Sequence, residues 1–234
     1  MGKLQLARVA ARVQSLSSTL FEAEVRRVSG LSVGIAGAAG LLRIGSRVMI
    51  RPRATPPIAA EIVGADGGQA VALAFGDLDG VGPGDRVTGC LDQGQAGLPV
   101  ADSWLGRALD PLGRPLDGAG PLPQGRPRPV RAAPPQAVGR ARLGPRLETG
   151  IRVIDGFTTC REGQRLGLFA GSGVGKSTLL AMLARHAAID VVVLALIGER
   201  GREVREFLED ELPAEARPRC VAVIATSDSA PMLR

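Results

Sequence analysis

The residues best suited to chemistry are glycines, a lysine and hydroxyl residues that follow one another in a single stretch. They are Gly171, Ser172, Gly173, Val174, Gly175, Lys176, Ser177 and Thr178. Glycines at this spacing let backbone N–H groups surround an anion at a helix N-terminus, where unpaired donors and the helix dipole both favour negative charge. Lys176 adds a cation for the β- and γ-phosphates, and the Ser177 hydroxyl is suitably placed to bind Mg²⁺. The pattern therefore predicts a phosphate-binding loop.

Lysine usage points to the same loop. Lysine and arginine together number 29, but only Lys3 and Lys176 are lysines. A planar guanidinium does not fit a phosphate cradle as a slim amine does. The strict motif has glycine where Ala170 stands, so the loop matches the relaxed form of the pattern. The alternative is a glycine-rich turn between a strand and a helix that binds nothing.

A second candidate follows the next apolar run. Residues Val191–Ile197 are continuously apolar and lead into Gly198, Glu199 and Arg200. A carboxylate beside a phosphate loop can orient and polarise a water for in-line attack on a γ-phosphate. Glu199 is therefore the candidate general base. Two alternatives stay open, a metal-binding acid and a surface glutamate in a turn.

The elements around both candidates alternate between strand and helix. A strand is predicted to enter the loop at Arg165–Ala170, and two more strands are predicted at Val191–Ile197 and Val221–Ala225. The continuous apolar run Val191–Ile197 predicts a strand that is buried on both faces. Helices follow the first two of these strands. Their predicted apolar faces consist of Leu179, Leu180, Leu183 and Ala187, and of Val204, Phe207, Leu208 and Leu212. This order predicts a doubly wound α/β domain that binds ligands beyond the carboxyl ends of its strands.

The preceding part of the chain has a period of two. Six short alternating segments are separated by Gly, Pro and Asp turn signals. They lie at Leu20–Arg26, Leu31–Ile35, Arg47–Ile50, Ile58–Val63, Gln69–Phe75 and Asp85–Cys90. Such a series predicts a small closed or nearly closed β-barrel. The later phrase Leu105–Gly118 predicts two successive turns across a surface, with a plain linker as the alternative.

Residues 4–20 predict a basic amphipathic helix, suited to a membrane surface or a partner helix, or else a frayed terminal helix. The expected domains are this helix in residues 1–19, the barrel in 20–92 and the α/β domain in 93–234.

Composition limits the classes of protein to consider. The 234 residues carry a net charge of +6, which is compatible with nucleic acid or an anionic membrane as partner, but scattered arginines favour a solvated basic surface instead. Aromatic residues make up only 3% and tyrosine is absent, so base-stacking platforms are scarce. We therefore expect no nucleic-acid partner.

No run reaches the roughly 18 apolar residues of a membrane span. The three cysteines, Cys90, Cys160 and Cys220, lie too far apart to predict a zinc site or a disulfide framework.

Several phrases together resemble the flagellar and type III secretion export ATPases, which are relatives of the catalytic β subunit of rotary ATP synthases. They are Leu105–Gly118, Glu148–Gly156, Gly163–Arg165, Ala170–Thr178, Gly198–Glu203 and Ala225–Asp228. The resemblance implies a β-barrel followed by a P-loop nucleotide-binding domain with a RecA-like parallel sheet. It also implies ATP and Mg²⁺, with Lys176 on the β- and γ-phosphates, Ser177 on Mg²⁺ and Thr178 on the phosphate tail. Glu199 would be the general base and Arg200 a γ-phosphate contact.

The resemblance also implies partners and a location. The expected partners are identical subunits in a hexameric ring, a stator-like regulator, export-gate proteins, exported proteins and their chaperones. The expected location is the cytoplasm, at the inner face of the bacterial membrane and with peripheral contact to it.

Family members continue well beyond the point that corresponds to Arg234. They add a metal-binding strand, an arginine finger, an adenine pocket and a helical domain. We therefore expect an incomplete sheet and weak hydrolysis by these 234 residues alone. Two alternatives to an export ATPase remain, an inactive nucleotide-binding or assembly module of the same family and a ring helicase of the transcription-terminator type.

Overall fold

The structure is a computed structural model that describes residues 20–37, 40–90, 97–123, 125–171 and 173–234. The predicted N-terminal helix and Ser172 lie outside these residues. The chain divides into two compact units. The first extends to Gly97 and includes Pro129–Arg131 and Ala230–Met232, and the second comprises the remaining residues.

Six antiparallel strands close the first unit into a barrel. They are β1 (Leu20–Ser29), β2 (Ser32–Ala36), β3 (Arg47–Arg51), β4 (Ile58–Asp66), β5 (Gln69–Ala74) and β6 (Arg86–Cys90). The spatial order is β1-β2-β5-β4-β3-β6, and β6 pairs back to β1 with Leu20 opposite Cys90. Alternate side chains point inward, so that Val33, Ile35, Ile50 and Val87 are completely buried. The predicted barrel is confirmed.

A parallel sheet forms the centre of the second unit. Its strands are β8 (Ala108–Leu109), β12 (Val192–Ile197) and β13 (Cys220–Ala225), in the order β12-β13-β8. Two short antiparallel pairs accompany it. These are β7 (Gly97–Val100) with β9 (Arg126–Pro129), and β10 (Arg146–Leu147) with β11 (Cys160–Arg161). The predicted α/β class is confirmed, since parallel strands alternate with helices.

The helices of this unit are α1 (Arg152–Phe157), α2 (Lys176–His186) and α3 (Gly201–Glu206), which continues as a π-helical turn over Phe207–Glu211. Ala181 and Ala184 of α2 pack with Phe207 and Leu212 against one face of the sheet. Leu179 and Leu183 contact a second cluster, which contains Ile151 and Ile154 of the α1 region. Within the described residues, none of the helices is both long and apolar enough to cross a membrane.

Two predictions about strands were wrong. Arg165–Ala170 is not a strand, and Phe169 is 96% exposed. A strand forms where a neighbour pairs with its backbone groups, and the described residues supply none along this segment. The strand β12 is not fully buried either, because its residues alternate and Val193 is 68% exposed. Its helix-covered face is half-buried, whereas residues on its other face are exposed to solvent.

The predicted face of α2 was partly wrong as well. Leu180 is 37% exposed, whereas Ala181 and Ala184 form the buried stripe. Small side chains lie closest to the sheet, since they let the helix backbone approach it. The predicted face of the following helix is confirmed, because Val204, Phe207 and Leu212 are buried.

Candidate functional site

The helix α2 begins at the predicted phosphate loop. Gly175 is its N-cap residue at φ 93°, and Gly173 has φ 74°, a left-handed backbone that favours glycine. A Cβ atom added at Gly171, Gly173 or Gly175 would meet no atom of the described residues within 4 Å, so the space beside these glycines is open to a ligand. Among the described residues no side chain caps this helix end. Its first N–H groups are therefore available to an anion.

Backbone hydrogen bonds hold Glu199 at the carboxyl ends of two strands. The Gly198 N–H donates to Ala225 O at 2.7 Å, and the Ser227 N–H donates to Glu199 O at 2.9 Å. Because β12 and β13 are parallel and in register up to Ile197 and Ala225, both strands end at the same edge of the sheet. Ligands bind at such an edge in open α/β sheets.

The structure brings most of the predicted site residues to one cavity of about 390 Å³. From the loop, its lining includes Gly171, Gly173, Gly175, Lys176, Ser177 and Thr178. Glu199 lines the same cavity. Val174 and Arg200 are not among its described lining residues, and the exposed Arg200 pairs with Glu203 at 3.2 Å. A phosphate loop and a candidate base therefore share one space.

Three further acids line this cavity, and they were missed from the sequence. They are Glu203, Glu206 and Glu211 of α3 and its π-helical turn, and they face a single lysine in the lining. Periodicity marked this helix for its apolar face only. A signal was available, since Glu203 comes four residues after Glu199. The carboxylates make the cavity repel a free polyanion, which favours a nucleotide whose charge is partly neutralised by a divalent cation.

The donor set fits a magnesium nucleotide. Mg²⁺ is usually held by few protein groups together with phosphate oxygens and water, and the hydroxyl of Ser177 is such a group. Within the described part of the chain, no three His, Cys, Asp or Glu residues lie close enough to hold a metal by themselves. When bound, Mg²⁺ would neutralise phosphate charge. The phosphate chain of such a nucleotide would lie against the open glycine cradle, beside Lys176 and Ser177.

The segment after Trp104 supports the sheet rather than acting as a plain linker. Arg107 donates to both carboxylate oxygens of Asp117, at 2.7 and 2.9 Å, and Asp117 also accepts the N–H groups of Ala108 and Ala119. The hydrogen bond from Arg107 and these backbone bonds hold the pKa of Asp117 well below its usual range, against the opposing effect of burial. The carboxylate thereby fixes the turn that delivers β8 to β13.

The start of α1 is fixed in a similar way. Asp155 accepts hydrogen bonds from the N–H of Thr149 at 2.9 Å and from its hydroxyl at 2.8 Å. These bonds lower the pKa of Asp155. Thr149 is only 2% exposed, and its hydroxyl oxygen accepts from the N–H of Ile151. This turn places Ile151 and Ile154 against α2.

A glycine cradle at the start of a helix, with a carboxylate at the ends of neighbouring parallel strands, defines the second unit as a P-loop nucleotide-binding domain. Residues 150–234 match the nucleotide-binding domain of the ATP synthase alpha/beta family. The flagellum-specific ATP synthase of Caulobacter vibrioides is 45% identical over 225 residues, which cover 96% of this chain and 50% of that protein. The SPI-2 type 3 secretion system ATPase of Salmonella typhimurium is 48% identical over 169 residues, covering 72% and 38%.

The fold comparison agrees with these relatives. The assembled ATPase EscN from the type III secretion system of enteropathogenic E. coli superposes with a TM-score of 0.76 at 36% identity. This alignment covers 90% of our chain and 49% of EscN. EscN in complex with its central stalk EscO gives a TM-score of 0.78. The chain belongs to the ATP synthase alpha/beta family, among the flagellar and type III secretion ATPases, and spans about half the length of these relatives.

Proposed function

We propose that the chain binds ATP with Mg²⁺, and that the same site hydrolyses ATP within a longer polypeptide of this family. The observation that supports this most directly is the cavity shared by Lys176, Ser177 and Glu199. In the proposed complex, Lys176 binds the β- and γ-phosphates, Ser177 binds Mg²⁺ and Thr178 contacts the phosphate tail. The backbone N–H groups at the start of α2 surround the phosphates.

Glu199 has the proposed role of general base. Its carboxylate accepts a hydrogen bond from the attacking water and orients that water in line with the γ-phosphate. Arg200 is a proposed γ-phosphate contact. To reach a phosphate it would give up its present ion pair with Glu203, and this exposed pair costs little to break.

The role in the cell is a proposal based on the relatives. We infer that the longer protein is an ATPase of protein export in a flagellar or type III secretion apparatus, located in the cytoplasm at the inner face of the bacterial membrane. The solved EscN assemblies, one of them with a central stalk, support a ring of identical subunits and a stalk or stator-like partner. Export-gate proteins, exported proteins and chaperones complete the proposed partners. We also retain the domain boundaries 1–19, 20–92 and 93–234 as proposals.

Nucleotide binding is tested with the 234-residue chain and a fluorescent ADP analogue, titrated with Mg²⁺ and with EDTA. Lys176→Ala should abolish binding, whereas Arg185→Ala, an exposed cation on the same helix, should leave it unchanged. Chelation of Mg²⁺ should weaken binding in the wild type, because the carboxylates of the cavity then face an unneutralised phosphate chain. Equal affinity of Lys176→Ala and wild type would refute the proposed site.

Hydrolysis requires a separate experiment with the longer polypeptide. Glu199→Gln should keep nucleotide affinity and lower turnover by roughly 10²–10⁴-fold, the usual contribution of a general base. Glu215→Gln, an exposed acid outside the cavity lining, is the matched control. Unchanged turnover in Glu199→Gln would remove Glu199 from the role of base. For the 234 residues alone we expect slow hydrolysis, and robust turnover that Lys176→Ala abolishes would contradict this.

A further inference from the structure

The C-terminal end of α2, far from the loop, is held by one arginine from outside the helix. The guanidinium of Arg219 donates to Ile189 O at 2.7 Å, Ala184 O at 2.8 Å, Arg185 O at 3.0 Å and Ala187 O at 3.4 Å. The last carbonyl groups of a helix lack partners within the helix and carry partial negative charge. A half-buried cation that binds four carbonyls in this region therefore acts as a charged C-terminal cap.

The position of Arg219 in the chain connects this cap to the sheet. Arg219 immediately precedes β13, whose first residue Cys220 lies opposite Val192 of β12. The cap thus lies at the amino ends of both strands, whereas Glu199 follows their carboxyl ends. The 11 residues of α2 span about 16 Å at 1.5 Å per residue, so the helix runs from the cap towards the site.

Two further contacts hold the same end of the helix. The N–H of Ala188 donates to Glu148 O at 2.9 Å, and the backbone of Gly150 lies so close to His186 that an added Cβ atom would be 2.6 Å from the Cβ of His186. By contrast, the loop end has no side-chain cap among the described residues, and Lys176 is exposed. Because a helix is stiff along its axis, a shift of its anchored C-terminal end along that axis also moves Lys176 relative to the sheet edge.

We infer that Arg219 is a positioning residue of the nucleotide site, which acts through α2 to set the distance between the phosphate loop and Glu199. The predicted effect of Arg219 on nucleotide affinity rests on the proposed function. The predicted effect of Arg219 on the order of the loop end of α2 does not, since the cap should steady that end when no nucleotide is present as well.

Arg217 provides a matched control. It is the same residue type, two positions earlier, and it also donates to backbone carbonyls, Glu209 O at 2.8 Å and Leu212 O at 3.3 Å. These acceptors lie on the π-helical turn and the residue after it, not on α2. Loss of Arg217 leaves the four carbonyl contacts of Arg219 in place, so it should affect the end of α2 and the phosphate loop less than loss of Arg219 does.

The experiment compares Arg219→Met, Arg219→Lys and Arg217→Met in the 234-residue chain. Two quantities are measured at a temperature at which Trp104 fluorescence shows each variant to be folded. They are the Kd of a fluorescent ADP analogue with Mg²⁺, and amide hydrogen exchange of residues 175–183 without nucleotide. Arg219→Met should raise Kd about tenfold, which corresponds to a loss of about 1.4 kcal/mol of binding free energy. Arg217→Met should raise Kd by clearly less than Arg219→Met does.

Arg219→Lys keeps the cation but loses the planar fork, so it should restore part of the affinity. It also provides a milder variant if Arg219→Met does not fold. Exchange at residues 175–183 should be faster in both Arg219 variants than in Arg217→Met. Equal exchange and equal Kd in the Arg219 and Arg217 variants would overturn the inference. If the wild type binds no nucleotide, the proposed function fails, and the exchange comparison alone decides whether Arg219 positions the helix.

Discussion

Gly150 makes the attachment of the phosphate-loop helix testable through a single added methyl group. Its φ is +71°, and an added Cβ would lie 2.6 Å from the Cβ of His186 and 3.0 Å from its carbonyl oxygen. Gly163 has nearly the same φ, +78°, but a Cβ there would meet no described atom within 4 Å. Substitution of either glycine by alanine therefore carries the cost of a left-handed backbone, but only at Gly150 does the added Cβ collide with a neighbour.

The expected magnitudes follow from these two terms. Alanine in a left-handed conformation costs about 1–2 kcal/mol, and this applies to both Gly163→Ala and Gly150→Ala. Overpacking adds about 1–3 kcal/mol at position 150 only. We therefore expect a loss of unfolding free energy of about 1–2 kcal/mol for Gly163→Ala and about 2–5 kcal/mol for Gly150→Ala. Both substitutions restrict the unfolded chain equally, so that effect cancels in the comparison.

Urea unfolding followed by tryptophan fluorescence measures this difference. Trp104 is the only tryptophan of the sequence, and it is 8% exposed within the second unit, so its signal reports that unit. The nucleotide Kd of Gly150→Ala should rise as well, because the collision displaces the anchored end of α2. Equal unfolding free energies for the two variants would refute the packing of residue 150 against His186, and with it one of the contacts that hold α2.

Two further predictions concern the Asp117 turn and the barrel core. Asp117→Asn should lower the thermal midpoint at pH 7, and its difference from wild type should shrink as pH falls below about 4. The reason is that the pKa of Asp117 in the folded state lies below the unfolded value of about 3.9. The ionised carboxylate therefore stabilises the fold above that pH, and this stabilisation is lost on acidification. A difference in thermal midpoint that stays constant from pH 7 to pH 3 would contradict this. Ile50→Ala should cost about 2–5 kcal/mol, whereas Ile44→Ala should change stability by at most about 0.5 kcal/mol, because Ile50 is fully buried and Ile44 is 66% exposed; circular dichroism during urea unfolding measures both, and equal losses would contradict the assigned core.

The barrel strands were predictable because they are short and alternating, with turns marked by residues such as Asp66–Gly68. A period of two determines which side chains face inward, whereas the pairings of β2 with β5 and of β6 with β1 and β3 join strands that are distant in sequence. The glycine-rich turn at the start of α2 was predictable because all its residues come from one continuous stretch. The placement of Glu199 beside it followed from the rule that parallel strands present their carboxyl ends at one edge.

Features that depend on distant partners were not predictable. Ala108 and Leu109 form a strand only because Ala222 and Val223 pair with them. The segment Arg165–Ala170 has the composition of a strand, yet no described neighbour pairs with it, so composition alone misled. The cap by Arg219 joins residues about 30 positions apart through backbone carbonyl groups. Because every residue has such a group, the sequence does not identify the acceptors. The carboxylates of α3 were overlooked because a helix was judged by its apolar face.

The closure of the barrel has a consequence for the order of events during protein synthesis. Its last strand, β6, pairs with both β1 and β3, so it occupies the space between the first strand made and the third. A nascent chain that has not yet released Arg86–Cys90 therefore carries two open strand edges, and such edges invite pairing with other chains. The barrel closes only when this short segment has left the ribosome, so a pause in synthesis before its release should favour aggregation more than a pause after its release.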